Sequence, residues 1–79
     1  MADEGTPLTS LEVGVKATVV RIGVSPADKP RLMEMGVLNG SKVELIRFAP
    51  LGDPVEIKVR GYNLSLRKDE ADKIFVRPA

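Results

Sequence analysis

Cysteine, histidine and tryptophan are absent from this chain of 79 residues, which holds only two phenylalanines and one tyrosine. Without cysteine there is no disulfide framework and no thiolate metal site. Without histidine the commonest metal ligand and the commonest acid–base catalyst are both missing. The serines Ser10, Ser25, Ser41 and Ser65 have no imidazole to activate them, and neither a GxxxxGK[ST] nor a GxGxxG string is present to cradle phosphate. The chain is therefore expected to be no enzyme and to hold no cofactor. Asp69, Glu70 and Asp72 fit no calcium-loop spacing and read as a solvated acidic face rather than a metal site.

Charge of one sign is lacking too. Twelve Lys+Arg against eleven Asp+Glu leave a formal net charge of +1. Residues 1–40 carry four basic and five acidic groups, and residues 41–79 eight and six, so neither half is a charged arm. Arg47, Lys58, Arg60, Arg67 and Lys68 trace a basic strip on the outer strand faces, but Glu44 and Glu56 interrupt it, and three aromatics are few for base stacking. No nucleic-acid partner is expected. No stretch approaches the roughly 18 apolar residues of a membrane span, so direct membrane insertion is not expected either. Met1–Gly5 carries acids where a secretory signal needs positive charge, which points to the cytoplasm.

What is present is a series of short β-type segments. Residues 1–7 are polar and aperiodic and read as a flexible terminus, with one domain over residues 8–79. Leu8 and Leu11 are expected to cap one end of the core, and Gly14 to turn the chain into a first strand at Lys16–Ile22. Ser25-Pro26 suggests a helix start, but Pro30 moves the helix proper to near Lys29. Leu32 and Met35 then share an inward face, and Gly36 stops the helix. Asn39-Gly40 is a turn. Lys42–Phe48 and residues 55–60 follow as strands, the latter alternating apolar and charged residues without exception. In the next strand Tyr62, Leu64 and Leu66 point one way. Residues 68–72 suggest one helical turn facing inward at Ala71, before a last strand at Ile74–Val76. Five short strands in so few residues are best served by closure. The expected fold is mostly β: a small five-stranded SH3-like barrel with a short helix between its first two long strands, and an oligonucleotide-binding type of barrel as the alternative.

The loop Ala49-Pro50-Leu51-Gly52-Asp53-Pro54 is stiffened by two prolines and carries Leu51 at its tip. Leu51 is either a lid folded onto the core or a preformed apolar knob for a protein partner, which costs little ordering entropy on binding. Met33, beside the Leu32/Met35 face, is either core edge or an adaptable contact. Met33, Pro50, Leu51, Gly52 and Asp53 are the candidate partner-binding residues.

Three strings occur in order: Arg31-Leu32-Met33-Glu34-Met35-Gly36-Val37-Leu38-Asn39-Gly40, the loop 49–54, and Arg60-Gly61-Tyr62-Asn63-Leu64-Ser65-Leu66-Arg67 with Glu70-Ala71. Together they closely resemble the FeoA family of bacterial ferrous-iron uptake, over about Leu8 to Val76. Asn39 stands where the family usually has proline, and Asn-Gly serves the same turn. The resemblance implies an SH3-like barrel, kinship with the SH3-like domain of iron-dependent repressors, and a working partner in FeoB, a membrane ferrous-iron transporter with a GTP-binding domain. The chain's own composition, without His or Cys, favours an accessory protein that touches the transporter rather than the ion. A metal-sensing module and a nucleic-acid-binding barrel are the alternatives, and any self-association is expected to be weak.

Overall fold

The computed structural model describes residues 5–23 and 30–78. The chain runs β1 (Thr6–Pro7), a 3-10 turn (Leu8–Ser10), β2 (Lys16–Ile22), α1 (Pro30–Glu34), β3 (Lys42–Phe48), β4 (Val55–Val59), β5 (Tyr62–Leu66), α2 (Lys68–Asp72) and β6 (Ile74–Pro78). The strands form one antiparallel sheet in the order β1-β6-β2-β3-β4-β5. The expected strands fall where their alternation placed them. The suggested helix start at Ser25-Pro26 lies outside the described residues.

Alternate residues are buried all along β4 and through the first half of β2 and β3, which is the physical content of their period-two pattern. Val43, Leu45, Val55, Ile57, Val59, Leu64, Leu66, Ile74 and Val76 are buried together with Leu8, Leu11, Ala17, Val19 and Leu32 in one core. Register shifts between Val19 and Arg21 in β2 and between Leu45 and Arg47 in β3 give each strand an extra residue at corresponding places. Such bulges increase local twist, and here they bend the sheet around the core.

Two expectations need correction. Structure begins before Leu8, because Thr6 and Pro7 pair with Val76 and Phe75 as a sixth strand. Composition hid this because the contact is made by backbone. Gly5, at φ +81°, brings the chain so near β6 that a Cβ there would lie 2.6 Å from the carbonyl oxygen of Val76. The second correction concerns the acidic face. Glu70 is 4% exposed, because its carboxylate accepts a hydrogen bond from the Arg67 backbone N–H at 3.1 Å and so serves the first turn of α2. Arginine has no acceptor to return the favour, so the usual reciprocal cap is half made.

Asp72, at the other end of α2, accepts hydrogen bonds from the Thr9 hydroxyl and from Lys68 Nζ. The Thr9 bond is the chief cause that holds its carboxyl below the usual carboxylate range. The Lys68 bond and charge act the same way, and burial opposes them. A folded-state value below the unfolded one stabilises the fold fully above the unfolded pKa, and that contribution is lost as pH falls through the folded one. Thr9→Val is therefore expected to melt below wild type at neutral pH, with the gap closing as the pH falls through the lowered pKa of the Asp72 carboxyl. Thermal melts across pH check this, and a gap independent of pH would refute it.

Candidate docking surfaces

Helix α1 has only five residues, so it can bury one narrow stripe. Leu32 fills it. The helix ends in a Schellman arrangement: Gly36 N–H donates to Met33 O at 3.0 Å and Val37 N–H to Leu32 O at 2.9 Å, with Gly36 at φ +92°. This closure buries Leu32 and Val37 and leaves Met33 and Met35 49% and 44% exposed. Met35 is thus not a core residue, contrary to the i, i+3 reading. That reading needs a longer helix than the one that forms.

Facing α1 is the end of the β4–β5 hairpin. Val59 pairs with Tyr62, leaving Arg60-Gly61 as a two-residue loop with φ of +54° and +87°. Both positive angles mark a type I′ turn, whose hand matches the twist of the strands. Arg60 is the only non-glycine with positive φ among the described residues. Holding a side chain in that region costs on the order of 1 kcal/mol. Its stem lies across Gly36, where an added Cβ would meet Arg60 Cδ at 2.7 Å. Tyr62, expected to point the same way as Leu64 and Leu66, is 75% exposed, because the ladder ends at this rung and among the described residues no element covers it. Between helix and hairpin lies a groove of about 630 Å³, lined by Met33, Glu34, Met35 and Gly36 on one side and by Val59, Arg60, Tyr62, Asn63 and Leu64 on the other.

The loop 49–54 sits at the opposite end of β4. Gly52 N–H donates to Ala49 O at 2.7 Å and Ala49 N–H to Pro54 O at 3.0 Å, while the Asp53 carboxylate accepts from the Lys68 N–H at 2.9 Å. The last bond ties the loop to the start of α2 and gives Asp53 a structural role. Leu51 is 94% exposed, so it is no lid on the core. The loop and Met33, expected to be neighbours, are set apart by the length of β4, about 13 Å at the rise of a strand. Met33 belongs with Met35 and Tyr62 instead. Sequence reading set Met35 on the inward face with Leu32 and pointed Tyr62 the same way as Leu64 and Leu66, and the short distance from Pro30 to Gly36 was the signal that could have corrected Met35.

The outer face is broken up electrostatically as the order of charges suggested. Arg47 pairs with Glu56 at 3.3 Å across β3 and β4, and Glu44 stands opposite both Lys16 and Lys58. Of the aromatics, Phe75 carries Arg21 over its ring at 4.1 Å and Phe48 packs on the core, so Tyr62 alone is open. Among the described residues no group of three or more acidic side chains is placed to hold a metal ion, and no helix is long and apolar enough to cross a membrane.

The FeoA domain model matches residues 6–78. The chain belongs to the FeoA family. A Porphyromonas gingivalis fusion of Fe(2+) transport protein A with the Fe(2+) transporter FeoB is 38% identical over 69 residues, which are 87% of this chain. The chain spans only 8% of that relative's length. The solution structure of the FeoA protein from Chlorobium tepidum superposes with a TM-score of 0.86 at 40% identity, covering 92% of this chain and 70% of that one. Stenotrophomonas maltophilia FeoA, crystallised with zinc and described as a procaryotic SH3 domain protein, gives a TM-score of 0.73 at 27% identity, with 89% and 87% covered. The fold is therefore SH3-like, and the family is one of ferrous-iron transport.

Proposed function

We propose that this FeoA-family protein is a non-enzymatic accessory of bacterial ferrous-iron uptake that works on the cytoplasmic side by docking on a FeoB-type transporter. The observation that carries this reading is the relative in which an iron-transport protein A and FeoB are one polypeptide. Fusion holds two partners at high effective concentration, which is of use when they act together. Two exposed apolar features suit this domain for docking: the tip of the 50–53 loop at Leu51, and the groove edged by Met33, Met35 and Tyr62. Rigid loops and methionine-edged grooves bind with little ordering cost. The test is co-purification of a FeoB-type transporter from solubilised bacterial membranes, with ferrous-iron uptake measured in cells with and without this gene. Co-purification and restored uptake are expected. Uptake that ignores the protein, with no transporter retained, would refute the reading.

Metal sensing is the second reading, favoured by the zinc complex of the S. maltophilia protein. This chain has only oxygen donors to offer, which bind ferrous iron or zinc weakly when few and exposed. Calorimetry on the isolated protein is expected to show no tight stoichiometric binding of either ion. Tight binding would turn the assignment to a sensor, and repeating the titration at several protein concentrations would reveal a site shared between copies.

A further inference from the structure

We propose that the outer face of β2, β3 and β4 binds an acidic polypeptide segment, and that Arg60 joins this site to the neighbouring apolar groove. The inference rests on the docking reading above and names the chemistry of the partner segment. Lys16, Glu44 and Lys58 stand in one row across the three strands. Lys42, two residues before Glu44 on the same face of β3, and Arg60, in the turn that follows β4, stand beside that row. These side chains border a depression of about 370 Å³.

Four cationic groups thus surround a single carboxylate. None of the four forms an ion pair or a side-chain hydrogen bond among the described residues, in contrast to Arg47 with Glu56 nearby. Like charges gathered at one depression repel, so Lys42 and Arg60 gain nothing for folding from their placement. Arg60 goes further, since its left-handed backbone is a position that glycine or asparagine would occupy without strain. The position nonetheless sets Arg60 on the border of both the cationic depression and the groove of Met33, Met35 and Tyr62. Its stem lies over Gly36, which has no side chain to displace it.

An occupant that uses both surfaces has an apolar side chain in the groove and carboxylates over the lysines. A polypeptide segment with an apolar residue beside acidic ones meets that description. A free phosphate or a lipid headgroup would engage the cationic part alone. Charge complementarity of this kind steers encounter and selects the partner, with a strong dependence on salt.

The test measures binding of the full-length protein to a solubilised FeoB-type transporter at low and at high salt. Lys42→Glu with Lys58→Glu is expected to weaken binding tenfold or more, in the range of charge-pair couplings at interfaces. Arg60→Asn suits the I′ turn better, so its melting temperature should be unchanged or higher while binding still falls. That split distinguishes recognition from a structural role. Wild-type binding that survives both the lysine reversals and high salt overturns this inference alone, whereas absence of any wild-type binding overturns the docking reading as well. In parallel, the protein is mixed with phosphatidylglycerol vesicles and with phosphatidylcholine vesicles. Retention on the former that the lysine reversals abolish would assign the patch to an anionic membrane and refute the polypeptide.

Discussion

Ile57→Ala is expected to cost about 2 to 5 kcal/mol, the range for emptying a fully buried aliphatic position. Ile57 has no exposed surface and sits at the middle of β4 between Leu45 and Leu64, both buried. Its strand has a neighbour on each side, so the backbone cannot shift to fill the void without breaking two ladders. A domain of this size has a net stability of roughly 5 to 10 kcal/mol, and the substitution removes a large part of it. Urea titration should show a lower midpoint, while Ser65→Ala on the exposed face of β5 should stay within about 0.5 kcal/mol of wild type. An unchanged midpoint for Ile57→Ala would mean that the two faces of β4 are assigned the wrong way round.

The second large effect concerns function. Leu51→Asp is expected to leave the circular dichroism spectrum and melting temperature unchanged, because the side chain is 94% exposed and the loop is held by backbone bonds and by Asp53. Retention of a FeoB-type transporter should fall by about tenfold or more, as for a central apolar anchor that acquires a charge at an interface. Asp53→Ala would be a poor substitute, since it frees the Lys68 N–H and disturbs α2. If Leu51→Asp folds and binds as wild type does, the loop tip is excluded. Met33→Asp then becomes the variant that decides for the groove.

Strand placement was legible from the order of residues because it depends on local alternation, which a half-buried sheet imposes directly. Val55-Glu56-Ile57-Lys58-Val59 can face only one way, and it does. The stop at Gly36 and the turn at Asn39-Gly40 were legible for a related reason, since glycine tolerates positive φ there. Residues at the ends of elements were harder. Met35 and Tyr62 carry core-like side chains in core-like phase, but α1 is too short to bury a second stripe and the sheet stops at Tyr62. Glu70 looked solvated because its partner is a backbone N–H that no composition count includes.

The sequence by itself determined the class of fold and the exclusion of thiolate and histidine chemistry, because both follow from which residue types are present and in what phase, while the family was legible as a resemblance carried by three motif strings in order. Tertiary structure alone decided which surfaces stand together. It moved Met33 away from Leu51 and beside Tyr62, and it set Arg60 at the rim of two depressions at once. The reason is that contacts across the sheet follow strand register and the hand of the turns, quantities set by the packing of the whole core, whereas alternation reports only whether a residue faces in or out.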